Sequence, residues 1–233
     1  MKKIGIISSG LILTMFFASC SKNNSTQPSA SGTPQMSYEL KASNSLVNLP
    51  AKMTGTGTIN WTGGLASPTM IKFEAKKGGT EIEYKSALDT TIDLMSSIAT
   101  TFGGFTIPTG TYNEIELKID LSQNGSNPAL ELDGTFTSGG VTTPVMVTIN
   151  DFVEIQTEQH DVTIDSAESF VAVTTLDLSS ISSGITETML NAASVTGGTI
   201  VISATSNRRL YEIIVDNLHG EKHHCEFEHH RRH

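Results

Sequence analysis

The feature that most constrains the fold is nine residues long: Asn113-Glu114-Ile115-Glu116-Leu117-Lys118-Ile119-Asp120-Leu121, in which every apolar residue falls on one parity and every charge on the other. Successive side chains of a strand point to opposite faces, so this alternation describes a half-buried strand whose sheet has one dry and one wet face. Ile71, Phe73 and Ala75 against Lys72, Glu74 and Lys76 repeat the pattern, and Ile82 and Tyr84 continue it. Further strands are expected at 54–61, 129–136, 145–149, 152–157, 161–164, 169–176 and 199–204, punctuated by Gly-Gly, Asn-Gly and Asp-Gly turns.

Two stretches break the period of two. Residues 184–193 place Ile185, Met189 and Ala192 or Ala193 at helical spacing, and 208–218 place Leu210, Ile213, Ile214 and Leu218 on one stripe. Asn207 is placed to cap the second helix and Gly220 to follow its end. The expectation is an all-β antiparallel sandwich with one or two short helices, since no β-α-β alternation suggests a parallel sheet. One domain, 38–218, accounts for the strands, with no internal repeat.

The amino terminus carries an address. Met1-Lys2-Lys3 precedes a mostly apolar run from Ile4 to Phe17, too short to span a bilayer comfortably, and Phe17-Ala18-Ser19-Cys20 follows. Small residues before a cysteine resemble the bacterial lipobox, which implies cleavage after residue 19 and lipidation of Cys20. Ser21, where an Asp often signals inner-membrane retention, implies the outer membrane. Residues 20–37 then form the acylated cysteine and a polar tether with almost nothing to bury, spanning roughly 20 to 25 Å.

A second resemblance lies further along. Thr91-Ile92-Asp93-Leu94, followed by Phe105-Thr106-Ile107-Pro108-Thr109-Gly110-Thr111-Tyr112-Asn113-Glu114-Ile115, resembles a stretch of an uncharacterised bacterial lipoprotein family, domain of unknown function 4382. The resemblance implies a prealbumin-like β-sandwich behind a lipoprotein signal and brings no activity. The same residues have a plain reading in turn chemistry: Pro108 fixes the chain, Gly110 supplies a permissive backbone, and Tyr112 opens the long strand.

The chain has 15 Lys plus Arg against 24 Asp plus Glu, a net charge of −9, which argues against a nucleic-acid partner. Ligand chemistry concentrates at 219–233. That tail holds six of the seven histidines and the one cysteine outside the lipobox: His219, His223, His224, Cys225, His229, His230 and His233. Imidazole and thiolate suit Zn, Ni or Cu, although the spacing matches no structural zinc motif. Three readings stay open for it: a solvated terminus, a metal-capturing tail, and an ordered extension.

The loop from Asp120 to Asn127 gathers oxygen ligands but fails the EF-hand pattern, so Asn124-Gly125 reads as a hairpin turn. His160, Asp161, Asp165 and Ser166 invite a triad, yet neighbours on a strand point to alternate faces. The sequence contains no G-x-S-x-G, P-loop, H-E-x-x-H or C-x-x-C motif. The functional expectation is a lipid-anchored binding or structural module of the cell envelope with no catalytic activity, meeting the membrane through its anchor and an unknown envelope protein or ligand. The alternative is an envelope transition-metal binder using the tail.

Overall fold

The computed structural model describes residues 34–50, 57–98, 100–165, 169–220 and 224–230. Along the chain run β1 (Gln35–Ser43), β2 (Leu46–Asn48), β3 (Thr58–Ala66), β4 (Pro68–Lys77), β5 (Thr80–Ala87), β6 (Ile92–Asp93), β7 (Thr101–Thr106), β8 (Gly110–Leu121), β9 (Leu130–Ser138), β10 (Val141–Ile149), β11 (Val153–Ile164) and β12 (Ser169–Asp177). The short helices α1 (Leu178–Ile181) and α2 (Glu187–Asn191) follow, then β13 (Val195–Thr196), β14 (Thr199–Ile202), α3 (Arg208–Gly220) and β15 (His224–His230).

These strands form three stacked sheets, in the orders β15-β12-β1-β7, β13-β14-β10-β9-β3-β2 with β6 beside β3, and β11-β8-β4-β5. The chain is an all-β sandwich with helical additions. The alternation of β8 explains why: Ile115, Leu117, Ile119 and Leu121 are all buried, as are Ile71, Phe73 and Ala75 of β4, which lies beside it in register. Their dry face meets the first sheet through aromatic contacts. Phe105 of β7 lies 5.7 Å from the Tyr38 ring of β1, 5.5 Å from Tyr84 and 6.5 Å from Phe73, so edge and stacked geometries tie the layers together. Buried Ser67 turns the chain from β3 in the second sheet to β4 in the third, its N–H donating to Ala129 O at 3.0 Å.

Several expectations need correction. The sheets are not wholly antiparallel, because β1 pairs parallel with β12 and β10 with β14. Neither pair needs a β-α-β unit, since the intervening chain crosses through other sheets. The 152–157 and 161–164 strands are one strand, β11, which keeps a single register against β8 from Val153 to Ile164 and is broken only at Asp161, where φ is +55°. The tether ends earlier than residue 37, as β1 begins at Gln35 and buries Met36. The Asn124-Gly125 turn is real, with reciprocal backbone bonds of 2.9 Å between Asn124 and Asn127. It does not close a hairpin, however; it carries the chain from β8 in one sheet to β9 in another.

Asn207 does not cap α3 with its side chain. Its φ is +49°, its Oδ1 accepts from Ser194 N at 2.8 Å, and its Nδ2 donates to Ser194 O and Val201 O, so it ties the β13–β14 hairpin to the helix start. The apolar stripe of α3 is as expected, with Leu210, Ile214 and Leu218 buried beside Tyr211. Asp177 caps α1, accepting from Ser179 N at 2.9 Å, and Thr186 caps α2. Trp61 is buried and donates from Nε1 to Ser182 Oγ at 3.3 Å, consistent with a core role.

Candidate functional site

The wet face of the β11-β8-β4-β5 sheet is ordered by charge. Register places Glu158, Glu116, Glu74 and Glu83 side by side across all four strands, one glutamate from each. The row on one side reads Gln156, Lys118, Lys72 and Lys85; the row on the other reads His160, Glu114, Lys76 and Glu81. Adjacent strands lie about 4.8 Å apart, so like charges directly opposite one another repel. Diagonal ion pairs offset the repulsion.

Lys118 reaches Glu116 at 3.2 Å and Glu74 at 3.6 Å. Lys72 bridges Asp120 at 2.9 Å and Glu154 at 3.1 Å. Lys85 pairs with Glu83, and Gln156 donates to Glu116. The hydrogen bond to Asp120 holds the Lys72 ammonium above its usual pKa against the cost of burial. For Lys118 burial pulls downward, but the Glu116 hydrogen bond and the surrounding carboxylates outweigh it and the net shift is upward. Both lysines therefore stay cationic and neutralise one end of the face.

The opposite end is short of cations. Lys76, paired with Glu114 at 2.7 Å, lies there between Glu114 and Glu81, with Glu158 diagonal to Glu114. Among the described residues, Glu114, Glu158 and His160 bring one potential ligand atom each to within 4.8 Å of one another. Two paired strands build this group. His160 of β11 lies directly opposite Glu114 of β8, and Glu158 is two residues before His160 on the same face.

The His160 ring makes two contacts. Its Nδ1 lies 3.3 Å from Asn113 O and its Nε2 lies 3.1 Å from Glu158 Oε1. Asp161 follows with φ +55°, and Asp165 is exposed, with no convergence on His160 of the kind a triad needs.

The residues singled out in the sequence are distributed otherwise. Cys20, His223, His233 and Ser166 lie outside the described residues. His219 sits exposed in the last turn of α3. His224, Cys225, His229 and His230 belong to β15, whose backbone pairs antiparallel with β12 from Ser169 opposite His230 to Thr175 opposite His224. Phe227 packs against the core. Over these seven residues the tail is an ordered extension and not a solvated terminus. Glu114 and Glu158 were missed as ligands because about forty residues separate β8 from β11, and cross-strand register is not written in either segment alone.

Models of known protein families, curated proteins and solved structures offer no match to this chain. The site must speak for itself.

The turn before β8 follows its sequence reading closely. Gly110 has φ +138°, the Tyr112 hydroxyl donates to Pro108 O, and the Lys77 ammonium lies 5.7 Å over the Tyr112 ring. Burial pushes the Tyr112 phenol upward, with a smaller contribution from Tyr84. Pro108, Gly110 and Tyr112 together hold the turn, as a hydroxyl bonded to an upstream carbonyl does in a tyrosine corner.

Proposed function

We propose that the chain is a non-catalytic binding or structural module held on the bacterial cell envelope by lipid at Cys20. The observation that carries this reading is the lipobox-like Phe17-Ala18-Ser19-Cys20 placed 15 residues ahead of Gln35, where the folded sandwich begins. Two or three acyl chains hold a protein stably where one does not. The resemblance of 91–115 to the domain of unknown function 4382 lipoproteins supports the same address, and Ser21 supports the outer membrane.

The charged sheet face supports a binding role over a catalytic one. Its lysines are committed to carboxylates, and His160 lies against Glu158 in the same lattice of paired charges. The alternative reading, transition-metal capture by His219, His223, His224, Cys225, His229, His230 and His233, is supported by the concentration of ligands. Metabolic labelling with an alkyne fatty acid and membrane fractionation test the anchor. Wild type is expected to label and sediment with membranes, and Cys20→Ala to do neither. A Cys20→Ala chain that still labels and sediments would overturn the proposal.

A further inference from the structure

We propose that the open edge of β2 and the turn that follows α1 form a groove that binds an uncharged, extended peptide segment of a partner protein by adding it as a further strand. A cavity of about 430 Å³ lies there, walled on one side by Leu46 to Pro50 and on the other by Ser179 and the turn from Ser182 to Ile185. Val47 and Leu49 are buried on the inner face of the sheet and Leu46 and Asn48 are exposed on its outer face, yet all four line the cavity. A space that touches both faces of a strand runs along its edge, where the main chain is presented.

The main chain of that edge has spare capacity. β2 meets β3 through the groups on its other side: Trp61 N donates to Ser45 O at 2.8 Å and Leu49 N to Gly57 O at 2.9 Å, with Val47 opposite Ile59 between them. Antiparallel bonding alternates from residue to residue, so the N–H and C=O groups of Leu46 and Asn48 point away from β3 and toward the groove. Among the described residues these groups meet no backbone partner. Other sheet edges are guarded as edges usually are. The strands β5, β11 and β15 each carry two glutamates or more, β13 is two residues long, and β7 is interrupted at Gly103, where φ is +63°. The three residues of β2 carry no charge.

The lining fixes the chemistry of the occupant. Among the described residues that wall the cavity none is ionisable, so a charged segment would lose water there without gaining a partner. Val47, Leu49 and Ile185 supply an apolar floor for one face of an incoming strand, and Leu46, 60% exposed, flanks the other. Ser182 is buried and its Oγ accepts from Trp61 Nε1 at 3.3 Å, while its own hydrogen meets no acceptor among the described residues and remains for a carbonyl of the occupant. Main-chain bonds to Leu46 and Asn48 supply affinity in such an arrangement, and alternate side chains on the floor supply selectivity.

The inference rests on the binding half of the function proposed above and not on the anchor, so its failure would leave the Cys20 labelling result standing. The probe is the capped peptide acetyl-Thr-Val-Thr-Ile-Thr-amide, added to the full chain in detergent and followed by the emission of Trp61, the chain's single tryptophan, and by amide hydrogen exchange. The Leu46 and Asn48 amides are expected to exchange openly in the free chain and to be protected by excess peptide. Asn48→Pro deletes a donor that β3 does not use, and Ser183→Phe fills the groove from its opposite wall. Each is expected to weaken binding at least about tenfold, with circular dichroism verifying the fold. Methylating one alternate set of the peptide's main-chain nitrogens is expected to abolish binding, and methylating the other set to leave it. Absence of saturable binding, binding kept by both methylated peptides, or protection that grows with protein concentration alone and so marks a second copy as the occupant would each overturn the site.

Discussion

Tyr211 shows how one hydroxyl joins distant chain segments. It is buried on α3 and donates to Asp151 Oδ2 at 2.6 Å, fastening the helix to the turn between β10 and β11. Burial, the Asp151 hydrogen bond and its negative charge together push the phenol up to about 12. A folded pKa above the unfolded value of about 10 means that the protonated ring stabilises the fold fully below pH 10 and loses that contribution as pH rises toward 12. Tyr211→Phe is expected to cost about 1.5 to 3 kcal/mol at pH 8, because it removes a hydrogen bond to a charged group. The stability gap between wild type and variant should narrow between pH 10 and 12 in urea unfolding; a gap constant across that range would refute the assignment. The sequence shows Tyr211 as one more apolar residue near the helix stripe, and Asp151 is sixty residues away, so their contact was not legible. Asn207 was legible as a helix boundary and misread as its cap, because a positive φ redirects its carboxamide to Ser194 and Val201.

At the scale of elements, period-two patterning located most strands, and helical spacing located α3, without help from tertiary structure. It could not assign strands to sheets. Parallel pairing of β1 with β12 joins segments more than 130 residues apart, and nothing local encodes it. The sequence left an ordered extension as one of three open readings for the tail, and composition could not select it, because the registration of β15 is dictated by β12. That strand has a consequence. Residues 170–174 of β12 are all buried, and β15 covers the edge they would otherwise present. Deleting 221–233 is expected to uncover a long apolar edge, lowering Tm by several degrees and driving association visible in light scattering. A monomeric deletion variant with unchanged Tm would contradict the pairing. Gly134 on β9 makes a second test. A Cβ there would lie 2.6 Å from Asn60 O and 3.0 Å from the Trp61 ring, in the interior of a sheet that cannot yield. Gly134→Ala is expected to cost about 1 to 3 kcal/mol in chemical unfolding, and a neutral outcome would show that β3 and β9 separate more easily than their pairing suggests.

Across the whole molecule, a dry sandwich core leaves function to its wet faces and its termini. The charged lattice of the β11-β8-β4-β5 sheet follows from alternation visible in the sequence, but the gathering of Glu158, Glu116, Glu74 and Glu83 into one row depends on three registers that only the fold supplies. The proposed address, by contrast, rests on the first twenty residues of the sequence and on no feature of the fold. Intact mass spectrometry of the mature protein, extracted from membranes with detergent, tests that address most directly. The account predicts a chain beginning at Cys20 and heavier than its polypeptide by a diacylglycerol group, with or without a further fatty acyl chain. A mature chain of bare polypeptide mass, or one beginning at any other residue, would contradict it.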